Sequence, residues 1–281
     1  MKFDKIKSYA KINLALNVIG KTYHLHKIES LISFVDLHDI IMIKKIRSQR
    51  HHISFNGRFS KNIPKKNTIS RLFEILEKKN FLKNNKFKIK VIKKIPAKAG
   101  LGGGSMNAAN ILKYLIKKKI IKANKKKILE ISKLVGSDVL LGLNSTNSIL
   151  TSKNQIKSFK KCKKFYTLIV KPDFGCSTKV IYANVRKFDK SKIKQPNKKI
   201  FNLNYLKKMN NSLEKIVLNK YPKLKSIKLN LERLSNPAFV RMTGSGSALV
   251  AYFQSKQRCL TAKKMFNKKY RNYWCIASKT I

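Results

Sequence analysis

Alternating apolar and polar residues in the first third of the chain predict β-strands. Residues 6–18, 29–46, 52–56 and 86–95 are rich in apolar and β-branched side chains at strand-like spacing. Between the last two of these segments, residues 68–79 place apolar side chains at helical spacing instead. The pattern predicts an α+β layer in the first half of the chain.

Helical periodicity becomes more frequent after residue 106. In residues 126–135, for example, Ile128, Ile131, Leu134 and Val135 recur at helical spacing. The other predicted helices are 107–117, 178–185, 205–218, 224–234 and 256–267, with strands at 165–170 and within 239–253. Residues 187–199 are basic and poorly periodic, which predicts a surface loop. We expect two domains, 1–150 and 151–281.

Glycine is concentrated between a predicted strand and a predicted helix. Four of the 11 glycines of the chain lie within residues 99–105. Glycine adopts positive φ at low cost and lets the backbone approach an anion, and the N-terminus of the following helix presents unpaired N–H groups. The segment therefore predicts a phosphate-binding loop.

Two common phosphate loops do not match this segment. A Walker A loop places Lys-Ser or Lys-Thr directly after its second glycine, and a dinucleotide loop has an acidic residue about 20 positions further on. The chain has neither arrangement. From the loop alone, a glycine-rich turn without a ligand remains an alternative.

The strongly basic composition first suggests a nucleic-acid partner. The chain has 65 Lys and Arg against 12 Asp and Glu, a formal net charge of +53. The lysines, however, occur in every segment together with asparagine and isoleucine, as A/T-rich codons would give, and without interleaved aromatics for stacking on bases. We therefore expect no specific nucleic-acid partner, and we expect the positive charge to speed encounters with polyanionic small molecules.

The sequence also gives expectations for the cellular location of the protein and for the chemistry of its cysteines. No apolar run reaches about 18 residues and the N-terminus lacks a signal-peptide core, so we expect no membrane span and a cytoplasmic protein. Cys162, Cys176, Cys259 and Cys275 form no CxxC pair and no metal-ligand spacing. We assign them no chemistry.

Three motifs in chain order carry a resemblance to a known superfamily. Residues 10–14 read AKINL, residues 96–109 read PAKAGLGGGSMNAA and residues 241–248 read RMTGSGSA. This order resembles the galactokinase, homoserine kinase, mevalonate kinase and phosphomevalonate kinase superfamily. The resemblance implies a two-domain α+β small-molecule kinase with an N-terminal ribosomal-protein-S5-domain-2-like layer and a C-terminal ferredoxin-like α/β domain.

Further segments give a finer resemblance, to the 4-diphosphocytidyl-2-C-methyl-D-erythritol kinase family. Residues 25–31 (LHKIESL) are similar to its Tyr-His-x-Leu-x-Thr-Leu, residues 34–39 (FVDLHD) to its Phe-x-Asp-x-x-Asp, and residues 136–139 (GSDV) to its Gly-Ala-Asp-Val. The resemblance spans nearly the whole chain. It implies transfer of the γ-phosphoryl of ATP, with Mg²⁺, to the 2-hydroxyl of 4-diphosphocytidyl-2-C-methyl-D-erythritol, a step of the methylerythritol phosphate route to isoprenoids and terpenoids.

The resemblance also implies roles for individual residues. Asp138 would orient and deprotonate the substrate hydroxyl, and Lys11 would stabilise the anionic nucleophile and the transferring phosphate. The late glycine loop, Gly244, Ser245 and Gly246, would close the phosphate site. From its place at the start of the predicted helix, Ser105 would cap the helix or bind Mg²⁺ or phosphate through its hydroxyl, and we expect it to contact the nucleotide. The ATP-binding residues would be Pro96, Ala97, Lys98, Ala99, Gly100, Leu101, Gly102, Gly103, Gly104, Ser105, Met106 and Asn107.

Substrate recognition is where the chain departs most from that family, which holds cytosine between two aromatic side chains. The first aromatic is replaced by Leu25, with Tyr23 and His24 as nearby substitutes, while Tyr182 matches the second. His26 matches the histidine that reads the cytosine edge. The substrate-binding residues implied by the resemblance are Asn13, His26, Thr178 and Tyr182.

The phosphate loop departs from the family pattern as well, which reads Met-Gly-Gly-Gly-Leu-Gly-Gly-Gly-Ser-Ser. Lys98 and Ala99 replace two glycines and Met106 replaces a serine. Lys98 would add a phosphate contact, and Ala99 is tolerable only where φ is negative. The alternatives are a homoserine or mevalonate type kinase of the same superfamily, or a catalytically decayed basic protein that binds nucleic acid.

Overall fold

The structure, a computed structural model, describes residues 2–23 and 25–281. Contacts within the chain define two compact units. Unit 1 comprises Met1–Ala10, Leu37–Ala97 and Gly102–Ser145, and unit 2 comprises Lys11–Asp36, Lys98–Leu101 and Thr146–Ile281. The expected domain boundary at residue 150 cuts the chain once, whereas these units interleave, and that boundary stays a prediction.

Runs of strands are interspersed with runs of helices along the part of the chain that the structure describes. The strands are β1 (Asp4–Lys21), β2 (His26–Ile46), β3 (His52–Asn56), β4 (Lys86–Ile92), β5 (Asn147–Leu150), β6 (Ile156–Phe159), β7 (Tyr166–Lys171), β8 (Phe239–Met242), β9 (Leu249–Phe253) and β10 (Trp274–Lys279). The α-helices are α1 (Thr68–Lys78), α2 (Gly103–Lys117), α3 (Lys125–Val135), α4 (Val139–Gly142), α5 (Thr178–Ala183), α6 (Leu203–Lys208), α7 (Ser212–Lys220), α8 (Pro222–Arg233) and α9 (Lys256–Lys269). A short 3₁₀ helix covers Lys198–Phe201.

In unit 1, helices α1, α2 and α3 pack together with strands of a β-sheet. Strand β4 pairs with β2 in antiparallel and with β3 in parallel orientation, and α1 packs against both α2 and α3. Helix α1 begins where it does because Asn67 and Ser70 form a reciprocal capping box. Buried side chains such as Ile41, Phe73 and Leu112 form the core, and burial of this apolar area stabilises the unit.

Unit 2 is built on a four-stranded antiparallel sheet in the order β10-β7-β9-β8. Strand β9 is buried at every position and β7 at its four central ones, which explains their continuous apolar sequences. Helix α9 packs on β7 and β10, and α7 packs on α8. In the same unit, β5 pairs with β2 at residues 30–32 and with β6.

The predicted α+β architecture is confirmed, and so are the first four strands, α1 and α3 within a few residues. One predicted helix, 205–218, is wrong, because the chain breaks at residues 209–211 into α6 and α7. There Asn211 caps α7 and donates its amide to the carbonyls of Met242 and Gly244. Residues 187–197 lack helix and strand, as predicted, but Lys198 begins the 3₁₀ helix. Among the described residues, none of the helices combines the length and the apolar character that crossing a membrane requires.

Candidate active site

The glycine-rich segment leads directly into a 15-residue helix. Helix α2 begins at Gly103, four residues earlier than predicted, and its N-cap is Gly102 with φ of 68°. The first backbone N–H groups of a helix have no acceptor within it, and its dipole places positive charge at that end. This helix start is suited to hold a phosphate group.

A buried carboxylate lies beneath this helix start. Asp39 is fully buried, and its Oδ1 accepts hydrogen bonds from the backbone N–H groups of Lys94 (2.7 Å) and Ile95 (2.9 Å). Its Oδ2 accepts from Asn107 Nδ2 (2.9 Å) and pairs with the Lys93 ammonium. Sequence reasoning assigned Asp39 no role, although an aspartate directly before the apolar run Ile40 to Ile43 is a signal that a buried carboxylate needs partners.

Residues 98–101 interlock with the late glycine loop within unit 2. The N–H groups of Ser247 and Ala248 donate to the carbonyls of Lys98 and Ala99, each at 3.3 Å. Gly100 has φ of +72°, and a Cβ there would lie 2.0 Å from the Thr243 carbonyl oxygen. Only glycine fits such an approach. The expected packing of the two glycine loops is therefore present for this part of the first loop.

The two glycine replacements in the loop have different backbone conformations. Lys98 keeps a positive φ of 51°, and the other positive-φ residues in the described loop are Gly100 and Gly102. Ala99 is not among these positive-φ residues, so an alanine is tolerable at this position. A Cβ on Gly175 would lie 2.6 Å from Lys98 Cβ, so the absence of a side chain at Gly175 leaves room for the lysine.

Lys11 is held by a short polar network in unit 2. Its side chain is 5% exposed, and its ammonium donates to Asn13 Oδ1 at 2.7 Å. Asn13 in turn donates from Nδ2 to Ser30 Oγ (2.8 Å) and from its backbone N–H to Thr243 Oγ1 (3.0 Å). This network orients the ammonium and distinguishes Lys11 from the many exposed lysines of the chain.

Asp138 and Ser105 belong to unit 1. Asp138 is half-buried and occupies the N-cap position of α4, but within the described residues its side chain makes no capping hydrogen bond to that helix. Ser105 is the third residue of α2, so the N-cap is Gly102 and not Ser105. The Ser105 hydroxyl lies 3.9 Å from the position of a Cβ on Gly136, two residues before Asp138. The capping role considered for Ser105 as an N-cap is therefore wrong.

A group of aromatic rings surrounds His26 in unit 2. The ring centroid of His26 lies 5.0 Å from that of Tyr182 and 6.4 Å from that of Phe188. Burial lowers the pKa of His26 below its usual value, and the charge of Lys21 lowers it further. Thr178, one turn before Tyr182, shares a hydrogen bond with Ser245 of the late glycine loop (2.8 Å between hydroxyl oxygens).

Phe188 lies beside His26, and sequence reasoning did not single it out. It lies in the segment predicted as a surface loop, but one buried carboxylate and one strand carbonyl anchor that segment. Glu29 accepts hydrogen bonds from Ser191 Oγ (2.8 Å) and Lys192 N–H (2.5 Å), and the Asp189 N–H donates to the Val18 carbonyl (2.8 Å). A single aromatic beside an aspartate in a lysine-rich loop was the available signal.

The remaining predicted residues fall in both units. Leu25 is 68% exposed and Tyr23 is exposed in full, while His24 lies outside the described residues. Unit 1 contains Pro96, Ala97, residues 102–107 and Asp138. Unit 2 contains Lys11, Asn13, His26, residues 98–101, Thr178, Tyr182, Gly244, Ser245 and Gly246.

Comparison with known proteins places the chain among small-molecule kinases. Residues 67–149 match the GHMP kinases N terminal domain family. The chain is 57% identical over 281 residues to a 4-diphosphocytidyl-2-C-methyl-D-erythritol kinase of Pelagibacter ubique, with 100% of both chains covered.

Solved structures show the same fold. A crystal structure of 4-(cytidine 5'-diphospho)-2C-methyl-D-erythritol kinase has a TM-score of 0.78 at 20% identity and covers 99% of this chain and 100% of its own. A homoserine kinase from Cytophaga hutchinsonii has a TM-score of 0.67 at 15% identity and covers 99% of this chain and 95% of its own. The predicted two-domain small-molecule kinase fold is confirmed.

Proposed function

Because the chain belongs to the 4-diphosphocytidyl-2-C-methyl-D-erythritol kinase family, we propose that it transfers the γ-phosphoryl group of ATP to the 2-hydroxyl of 4-diphosphocytidyl-2-C-methyl-D-erythritol. This reaction belongs to the non-mevalonate synthesis of isoprenoid precursors. The observation that carries the proposal is full-length identity of 57% to a kinase of that name. The fold alone does not choose the acceptor, since a homoserine kinase shares it.

The phosphates of ATP bind at the glycine-rich segment in this proposal. The unpaired N–H groups at the start of α2 face the anion, and the interlocked backbones of residues 98–101 and 243–248 fix the rest of the loop. Lys98 is exposed and supplies a cation to the same phosphates. Preorganised donors of this kind require little rearrangement when charge develops during transfer.

Mg²⁺ is the metal that the family implies, and the residues present fit it. Among the described residues, no group of three or more His, Cys, Asp and Glu side chains could form a protein cage for a metal ion. Mg²⁺ commonly binds through one or two protein oxygens together with substrate phosphates, and the Ser105 hydroxyl is such an oxygen. When bound, the ion would offset the negative charge of the phosphates.

Asp138 and Lys11 supply the acid–base and electrostatic chemistry. We assign the Asp138 carboxylate to orient the acceptor hydroxyl and accept its proton. The Lys11 ammonium, already oriented by Asn13, stabilises the alkoxide oxygen and the transferring phosphoryl group.

The cytidine part of the acceptor binds at the aromatic group of unit 2. His26 reads the edge of the base through its ring nitrogens, while Tyr182 and Phe188 offer π faces for stacking. Thr178 and Asn13 provide hydrogen-bonding groups for the remainder of the acceptor. A cytoplasmic location and a small-molecule partner without specific nucleic acid belong to the same proposal.

The decisive experiment is ADP release by the purified protein with ATP and a panel of acceptor alcohols. We expect stimulation by the cytidine diphosphate alcohol and none by homoserine or mevalonate. Equal stimulation by homoserine would overturn the acceptor assignment and leave the kinase fold unaffected. Salt-sensitive binding of RNA or DNA without ATP turnover would favour the decayed nucleic-acid binder instead.

A further inference from the structure

We propose that Asp39 is the positioning residue of the nucleotide loop: its buried carboxylate fixes both ends of that loop at once. The inference rests on the proposed function, because it assigns ATP to the loop. It goes beyond that function by naming a residue that touches neither ATP nor the acceptor.

The hydrogen bonds of Asp39 join the two ends of the loop. At the entrance, Oδ1 accepts from the N–H groups of Lys94 and Ile95, which directly precede Pro96. At the exit, Oδ2 accepts from Asn107 in the first turns of α2. One rigid carboxylate in β2 therefore sets the distance between the end of the strand segment and the helix start.

The partners of Asp39 also contact the first residue of the helix. A Cβ on Gly103 would lie 3.0 Å from Ile95 Cγ2 and 3.3 Å from the Lys93 ammonium nitrogen. The Ile95 N–H donates a hydrogen bond to Asp39, and the Lys93 ammonium forms an ion pair with it. A displacement of either would therefore move the helix start or its N–H groups.

The charge of Asp39 matters for the same site. The Lys93 ammonium is 6% exposed and lies beside the positive end of the α2 dipole, where a second positive charge is unfavourable. Asp39 is the carboxylate that pairs with it. A buried charge without its partner is strongly unfavourable, so loss of Asp39 would expel or reorient Lys93 and disturb the helix start next to it.

Three variants separate the geometric from the charge contribution. Asp39→Ala removes every acceptor, whereas Asp39→Asn keeps one oxygen for the two backbone N–H groups but leaves Lys93 unpaired. The new carboxamide nitrogen faces Asn107 Nδ2. Turning over the Asn107 amide gives it an acceptor, because Asn107 Oδ1 is buried and has no hydrogen-bond partner among the described residues. Asp39→Asn combined with Lys93→Met removes the unpaired ammonium and is the conservative rescue.

The measurement is calorimetric affinity for ATP with Mg²⁺, together with the KM values for ATP and for the acceptor. We expect Asp39→Ala and Asp39→Asn to raise the ATP dissociation constant about 10-fold or more, the scale seen when supporting groups around a site are lost. The acceptor KM stays within about twofold, and adding Lys93→Met to Asp39→Asn restores most of the affinity. Should Asp39→Ala fail to fold, Asp39→Asn and the rescue carry the test.

Glu29→Gln is the matched control, since Glu29 is another fully buried carboxylate that accepts backbone and side-chain hydrogen bonds. It should leave the ATP dissociation constant unchanged. Unchanged ATP affinity in folded Asp39→Asn, or an equal loss in Glu29→Gln, would overturn the inference. ATP binding by the wild-type protein without turnover of the cytidine alcohol would overturn only the acceptor assignment, because the ATP titration does not depend on the acceptor.

Discussion

At the scale of single residues, burial and hydrogen bonding distinguish Lys11 from the many exposed lysines of the chain. Lys11 is nearly buried and its ammonium is oriented by Asn13, whereas Lys7, four residues earlier on the same strand, is exposed. A held cation stabilises developing negative charge without first losing side-chain freedom. The same residue type on one strand therefore serves two different purposes.

We expect Asp138→Asn and Lys11→Met each to lower kcat by at least about 100-fold, the scale of removing a positioned base or charge stabiliser. The KM for ATP should change far less, because neither side chain belongs to the glycine loop. Steady-state kinetics check both values, with Lys7→Met as the control for loss of a strand lysine. Near-normal turnover in Asp138→Asn would show that the aspartate serves only the turn before α4.

The aromatic group around His26 gives a second prediction. Tyr182→Ala should cost about 1–3 kcal/mol of acceptor binding, the usual range for stacking on a base, and so raise the acceptor KM about 5- to 150-fold. Phe188→Ala should raise it too, and Leu25→Tyr should lower it by adding a stacking ring. Leu229→Ala is the control, since Leu229 and Phe188 are equally exposed at 49% and 48%. An acceptor KM insensitive to all three changes would place the cytidine elsewhere.

The lowered pKa of His26 sets the pH range of acceptor binding. Burial disfavours the imidazolium and Lys21 repels it, so the neutral ring persists below the usual value of about 6.5. We expect the acceptor KM to begin rising on acidification only at a pH lower than that at which an ordinary histidine would titrate, because that rise requires protonation of the ring. The ATP KM measured over the same range is the internal control. A rise that also occurs in His26→Asn would assign the titration to another group.

At the scale of elements, two glycine loops form one backbone assembly in unit 2. A Cβ on Gly100 would lie 2.0 Å from the Thr243 carbonyl oxygen, and a Cβ on Gly244 would lie 3.1 Å from Gly100 Cα. The Thr243 hydroxyl bridges Asn13 and the Gly100 carbonyl, which links the assembly to the network that holds Lys11. The loop conformation is thus coupled to the strand that carries Lys11.

Gly100→Ala should therefore destabilise the protein by about 2 kcal/mol or more, because it combines positive φ with a clash against backbone. It should also weaken ATP binding, since the two loops must separate to admit the methyl group. Denaturant unfolding and ATP calorimetry check the two effects. Gly20→Ala is the matched control, as a Cβ there meets only ordinary contacts at 3.8 Å. Unchanged ATP affinity in Gly100→Ala would show that the loop assembly does not shape the nucleotide site.

Sequence patterns predicted the elements that periodicity or glycine content specifies, and missed those that tertiary contacts specify. The alternation of apolar and polar residues was sufficient to predict β1 to β4. Strands β5 and β6 have four residues each, which is too few for an alternating pattern to be recognised. The break at Asn211 depends on carbonyls about 30 residues away in sequence. The early start of α2 at Gly103 likewise overrides the low helix propensity of glycine. Asp39 went unassigned because its partners come from two segments more than 50 residues away in sequence, Lys93 to Ile95 and Asn107.

At the scale of the whole molecule, net charge rather than any one cluster describes the electrostatics. A formal charge of +53 accompanies 12 acidic residues, so most lysines have no carboxylate to pair with. A positive field of this size attracts both polyanionic substrates and is screened by salt over a Debye length of about 10 Å at 0.1 M. Such a field raises encounter rates without adding contacts in the site.

We expect kcat/KM for the acceptor to fall by roughly threefold or more between about 20 and 200 mM KCl, while kcat changes little, because screening slows encounter and not phosphoryl transfer. Replacing Lys125, Lys126 and Lys127 with Gln should reduce kcat/KM only slightly, since these exposed lysines are a small share of a distributed charge. Sucrose at matched viscosity controls for effects on diffusion. A kcat/KM that does not respond to salt would show that the basic composition has no part in substrate capture, and a large loss in the triple variant would locate the attraction at the start of α3.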